Sequence, residues 1–287
     1  MIEDRSSITA AWVSVCRGLG ESLPAGARLV DDPYGLRFGA SVGMRLARLS
    51  DRRRTRVARA LLATRLRRII LWLQLRTRVI DDVLAGFVKS GGRQVLILGA
   101  GFDCRASRFA ESLGDATVFE VDHPATQQRK VAVLREAEVV PANVRYVAWD
   151  FERNPMHDLP RRLAASGHDP HAPTLTIWEG VIMYLTRKAM EDTLEALSAL
   201  GSPGSMLVFN YTERGTLAFF RRLAVLVGEP VRSTWSPEEV AAMLASHGFS
   251  MQWDRRDDDL ARELFSPAWA ARFSSAGGRI GLARPSR

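Results

Sequence analysis

The chain has 287 residues, 46% of them hydrophobic and 25% charged, a globular composition that excludes a disordered or fibrous protein. Its formal net charge is +8, and Arg52, Arg53, Arg54, Arg56, Arg59, Arg65, Arg67, Arg68, Arg76 and Arg78 carry much of the excess. Such a cluster can attract an anionic substrate, a nucleic acid or an acidic membrane surface, with a solvated helix face as the plainer reading; no zinc-finger spacing or aromatic–basic interleaving supports a nucleic-acid module.

The start, Met1-Ile2-Glu3-Asp4-Arg5, carries acids where a leader has bases, and the longest aliphatic-aromatic run, Ile69 to Leu73, is far shorter than a membrane span. Two cysteines, Cys16 and Cys104, are too few for a disulfide framework and lack metal-ligand spacing, so a cytoplasmic protein is expected.

Residues 7–90 read as helical, with loop signals at Leu23-Pro24-Ala25-Gly26 and Asp31-Asp32-Pro33-Tyr34-Gly35. From Val57 to Val88 apolar residues recur at three- and four-residue steps, an amphipathic helical pattern. A membrane-surface role for the 57–75 helix is a side hypothesis, its apolar face being better explained by packing. Gly91-Gly92 ends this segment. Short apolar runs then follow at 94–98, 117–121, 144–148, 175–178 and 206–209, with helical patterns such as Arg187 to Leu200 between most of them. Strands alternating with helices predict an α/β fold, a mostly parallel sheet covered on both faces. Ser236-Pro237-Glu238-Glu239 opens a further helix, closed by Gly248, and two last strands are expected around 249–253 and 279–283.

In an open α/β sheet the ligand sits at the carboxyl ends of the strands. After the first strand stands Gly99-Ala100-Gly101-Phe102-Asp103, where glycines allow a sharp turn and close approach. A dinucleotide site wants a third glycine where Cys104 stands, and Asp103 repels a pyrophosphate but suits a cationic amino group. Glu120 and Asp122, about 20 residues on, are placed to accept from ribose hydroxyls. Asp150 follows the third strand, placed for an adenine amino group with Phe151 able to pack on the ring, and Glu179-Gly180 follows the fourth.

These residues resemble the leucine carboxyl methyltransferase-like group of class I methyltransferases. The matching pieces are Asp31–Tyr34, Arg76–Asp81, Leu98–Asp103, Phe119–Pro124 and Glu179–Leu185, in family order from residue 31 to about 215. The resemblance implies a Rossmann-like, seven-stranded sheet under an N-terminal helical lid (1–90), with an S-adenosylmethionine-binding core (91–287). It further implies that Arg76 holds the methionine carboxylate and that Gly99 and Gly101 line the cofactor. Asp122 would take the ribose, Asp150 and Phe151 the adenine, and Glu179 the methionine end. Asn210-Tyr211 looks similar to the phosphatase-directed branch, whereas the arginines of 52–68 exceed the family pattern.

Methyl transfer from a sulfonium is an in-line displacement, in which a protein aligns the partners and excludes water. His123 reads as a loop-shaping residue, His247 as a helix C-terminal one, and His157, His168 and His171 give no signal. The expected activity is therefore O-methylation of a small, anionic acceptor, a carboxylate or acidic hydroxyl, with Tyr184 as the named candidate for an acceptor contact. A nicotinamide-dependent oxidoreductase and a non-catalytic cofactor-binding partner protein stand as alternatives.

Overall fold

A computed structural model describes residues 8–215 and 231–286; the Met1–Arg5 start discussed above lies outside them. In chain order the helices α1 (Ile8–Gly18), α2 (Ala40–Ala47), α3 (Asp51–Leu62) and α4 (Leu66–Lys89) precede β1 (Gln94–Leu98). Two single-turn helices, α5 (Arg105–Arg108) and α6 (Ala110–Leu113), lead to β2 (Thr117–Asp122), α7 (Pro124–Glu136) and β3 (Val144–Ala148). Then come α8 (Leu159–Ala165), β4 (Thr174–Trp178), α9 (Arg187–Ser198), β5 (Met206–Thr212), α10 (Pro237–Ser246), β6 (Phe249–Arg256), α11 (Asp257–Leu264), α12 (Pro267–Ala270) and β7 (Gly278–Pro285).

The seven strands form one sheet in the order β3-β2-β1-β4-β5-β7-β6. β1 to β5 run parallel, whereas β7 is antiparallel to β5 and to β6, with a register irregularity at Met251/Trp253. The order reverses between β1 and β4, the switch point at which an open sheet leaves a crevice at its carboxyl edge. Alternation along β1 sorts the core into two layers. Val95 and Ile97 face the cluster containing α4 and α11, while Leu96 and Leu98 face the one containing α8, α9 and α10.

α4 is a core helix. Leu71, Leu75 and Ile80 are fully buried in the cluster that also holds β1, β4 and β5 residues, each contributing about 1.5–3 kcal/mol of apolar burial. Its Trp72 lies against Gly278 of β7, where a Cβ would fall 2.4 Å from the indole. The apolar face that the 57–75 span offers thus meets protein. The helical reading of 57–88 needs one correction, a break at residues 63–65. There the Thr64 hydroxyl accepts from Leu66 N at 3.1 Å and donates to Leu61 O at 2.7 Å, local bonds that compete with the helix ladder.

Other boundaries follow their local chemistry. Ser236 and Glu239 form a reciprocal capping box with Pro237 in the first turn of α10, and Gly248 beyond the end takes φ +78°. His247 stands at the C-cap, its Nδ1 2.8 Å from Met243 O. Among the described residues, no helix is long and apolar enough to cross a membrane.

Candidate functional site

The carboxyl ends of β1, β2 and β4 meet at the switch point, and the turns leaving them are tied to one another. Gly99 and Gly101 take φ of +64° and +50°, backbone that favours glycine. A Cβ on Gly99 would lie 2.5 Å from Val181 Cγ2, so β4's turn packs directly on β1's. Gly99 N and Ala100 N donate to Val121 O at 2.8 and 3.1 Å. Asp122 accepts from Gly101 N and from His123 N, both at 2.6 Å, bridging the first turn to the second. Burial raises the Asp122 carboxyl above its ordinary value, and those two amides counter it in part. Its side chain is half-buried.

The third turn approaches through His123. Nδ1 of this ring accepts from Ala125 N at 3.2 Å and caps α7, leaving Nε2 3.8 Å from Asp150 Oδ2. Asp150 is half-buried and its Oδ1 accepts from Glu152 N at 2.9 Å, while Phe151 packs against the apolar layer that includes Trp178. After β4, Gly180 takes φ +73° and its N–H donates to Asn210 Oδ1 at 2.7 Å. Tyr211, the next residue of β5, faces away and donates to Asp254 at 2.6 Å. Tyr184 sits half-buried on the 3-10 turn Ile182–Tyr184 that follows.

Beneath these turns lies a buried set of four guanidiniums and four carboxylates. Glu179 receives Arg76 Nε on Oε1 at 2.7 Å and Arg105 Nη1 on Oε2 at 2.6 Å. Arg105 also bonds Asp103 through the same nitrogen and Asp81 through Nε at 2.7 Å. Arg108 reaches the other oxygen of Asp81 at 2.5 Å, and Arg17 of α1 binds Asp32 at 3.0 Å. Burial opposes ionisation of Glu179, yet Arg105, Arg76 and Arg17 outweigh it and hold its carboxyl well below the usual range. For Asp103 burial likewise pushes up, and Arg105 with Arg17 holds it low.

Helix α1 touches the same place. Ala10 of α1 lies 3.2 Å from where a Cβ on Gly101 would stand, and Arg17 Nη2 donates to Phe102 O at 2.5 Å.

Arg76, Gly99, Ala100, Gly101, Asp122, Glu179 and Gly180 are thus brought together, with Asp150 and Phe151 on the adjoining turn. Two expectations change. Glu120 lies two residues inside the edge, in register with Ile97 and Tyr146, and its carboxylate is taken by Lys130 of α7 at 2.6 Å. Both members of that pair are 1% exposed, which removes Glu120 from the ribose position. Asp103 turns both oxygens onto Arg105 in its own loop, so it braces the turn and does not face the crevice. Sequence reasoning missed Arg105, Arg17 and Asp81 as partners; the signal available was a run of unpaired-looking charges in otherwise apolar segments.

A sulfonium nucleoside fits this cradle. The terminal nitrogens of Arg76 point at Gly180, 3.5 and 3.7 Å from where a Cβ would stand, and make no hydrogen bond among the described residues. They are free to pair with a carboxylate, while each Glu179 oxygen keeps a lone pair for an ammonium.

The leucine carboxyl methyltransferase profile matches residues 10–198. A Frankia alni protein assigned as an S-adenosyl-L-methionine-dependent methyltransferase is 36% identical over 75% of this chain and 73% of its own. A Mycobacterium tuberculosis protein with the same assignment is 29% identical over 89% and 84%. Against a Streptomyces coelicolor relative, 38% identical over 61% of this chain, the match spans 60% of that protein's length. Among solved structures, a Thermobifida fusca protein assigned as a methyltransferase superposes with TM-score 0.59 at 19% identity, covering 94% of this chain and 98% of that one. That likeness shows the class I methyltransferase fold, and the sequence relatives decide between the two Rossmann cofactors that the glycine turn leaves open. The chain belongs to the leucine carboxyl methyltransferase family and is an S-adenosylmethionine-dependent methyltransferase.

Proposed function

We propose that this enzyme O-methylates a small anionic acceptor, a carboxylate or an acidic hydroxyl, as a step of secondary metabolism. The observation that carries the reading is the state of the acid at the methionine end of the cradle: Glu179 is held ionised by the buried Arg76 and Arg105, which makes it a poor proton acceptor. A site whose acid is so held suits an acceptor that is already ionised at neutral pH and needs no general base. The family's name, which specifies a carboxyl acceptor for its namesake, points the same way.

When bound, S-adenosylmethionine supplies a methyl group activated on a sulfonium. In this reading Arg76 pairs bidentately with the methionine carboxylate and Glu179 accepts from its ammonium. The backbone of Gly99, Ala100, Gly101 and Gly180 lines the donor, Asp122 accepts from the ribose, and Asp150 with Phe151 receives the adenine. α1, resting on Gly101, excludes water. Tyr184 is the proposed acceptor contact.

Calorimetry with S-adenosylhomocysteine tests the cradle: Arg76→Lys keeps the charge but loses the fork and should weaken binding about tenfold or more. Radiolabelled methyl transfer to panels of carboxylic acids, phenols, amines and thiols tests the acceptor. Turnover confined to amines or thiols refutes the anionic reading while leaving the cofactor assignment intact.

A further inference from the structure

Residues 40–70 hold ten arginines and a single acid, Asp51, while the other 256 residues carry thirty basic and thirty-one acidic residues. The whole net positive charge of the protein therefore resides in α2, α3 and the start of α4. Asp51 itself is paired with Arg54 at 2.6 Å. Arg45, Arg48, Arg52, Arg53, Arg56 and Arg59 are exposed and make no ion pair among the described residues. Arg52, Arg56 and Arg59 stand at i, i+4 and i+7, one stripe of α3 about 10 Å long. The opposite side of α3, with Ala58 and Leu62, is buried, so the charged stripe faces outward.

Two further observations identify what such a surface meets. Met44, beside Arg45, is 46% exposed, and Trp12 of α1 is 51% exposed. Both flank the contact at which Val15 of α1 packs on Gly39 and Gly43. Exposed guanidiniums with a thioether beside Arg45, and an exposed indole one turn from the α1–α2 contact, suit the headgroup layer of a bilayer, where phosphates meet the first acyl carbons. Residues 40–70 contain no aromatic to stack on a base and no Asn or Gln to read one. Trp12 is a single aromatic outside that stretch, and a run of like charges beside it lacks the clustered, buried centre of a stable protein interface.

We propose that the α2–α3 face docks this enzyme reversibly on an anionic lipid surface. The contact is peripheral and electrostatic, with Met44 and Trp12 dipping into the headgroups. It holds the cofactor cradle about 15 Å further along α4, the distance from Leu66 to Arg76. The proposal is independent of the acceptor's chemistry.

The test is co-sedimentation of the full chain at 150 mM NaCl with vesicles of 3:1 phosphatidylcholine to phosphatidylglycerol, and with phosphatidylcholine alone. Binding should favour the anionic vesicles by tenfold or more. At about fivefold per arginine, losing three charges costs about a hundredfold, so the reversals Arg52→Glu/Arg56→Glu/Arg59→Glu should weaken it a hundredfold or more. Arg135→Glu/Arg161→Glu/Arg284→Glu, an equal change of charge elsewhere on the surface, should cost less than tenfold. Thermal melts and S-adenosylhomocysteine binding confirm that both variants are folded. Equal loss in the two variants, indifference to lipid charge, or capture of duplex DNA or polyglutamate at lower concentration than the vesicles overturns the proposal.

Discussion

Replacing Arg105 by methionine removes the charge on which three carboxylates converge, Asp81, Asp103 and Glu179. Asp81 keeps Arg108 and Glu179 keeps Arg76, but Asp103 keeps no side-chain partner among the described residues. Arg105 is 2% exposed, so no water replaces the lost guanidinium. Breaking a buried pair from one side costs about 3–5 kcal/mol. For a chain of 287 residues that is a fall of roughly 5–8 °C in melting temperature. The pH dependence carries the diagnosis. In the native protein Asp103 and Glu179 have lowered pKa values, so they contribute stability above their unfolded values, near pH 4, and lose it as pH falls below. Without Arg105 burial dominates at Asp103, whose carboxyl rises and whose contribution to stability is instead lost as pH rises, while Glu179 keeps Arg76. The gap between native and variant melting curves should be widest near pH 7.5 and should narrow steeply toward pH 4. Differential scanning fluorimetry on the intrinsic tryptophans measures it. A variant that melts within 2 °C of the native protein at pH 7.5, or a gap indifferent to pH, refutes the network as described.

Two other outcomes follow from burial. Cys16, whose thiol burial pushes up to about 12, and Cys104, also raised, should both resist Ellman's reagent in the native protein and react on unfolding; fast native labelling refutes their placement. Gly278→Ala drives a Cβ to 2.4 Å from the Trp72 ring and should cost about 1–3 kcal/mol in a urea melt. An unchanged midpoint would show that α4 does not rest on β7 in this way.

The five parallel strands, the glycine turn, the carboxylates at 122, 150 and 179, and the serine cap at Ser236 were all legible in order along the chain. Each is a local statement: a short apolar run, a residue able to take positive φ, or a hydroxyl just ahead of a proline and two acids. A parallel strand announces its end by the turn it must make, so Gly99, Gly101, Asp122, Asp150 and Glu179 were picked out by position, whereas Arg76 came from the family resemblance. The family motifs Asp31–Tyr34 and Arg76–Asp81 were also visible, although the parts played by Asp32 and Asp81 were not. The structure supplies the reason: Asp32 receives Arg17, and Asp81 receives both Arg105 and Arg108.

What only the tertiary structure decided are relations across elements. β7 inserts between β5 and β6, which no periodicity announces. Glu120 and Asp122 share one face of one strand, yet one is consumed by Lys130 under α7 and the other braces the glycine turn. Arg105 finds partners 2, 24 and 74 residues away, spacings without a period. Backbone conformation is set largely by near neighbours and leaves its mark in the local pattern. The partner of a buried charge is set by which segments the packed layers bring within 3 Å, and that is known only once the layers have packed.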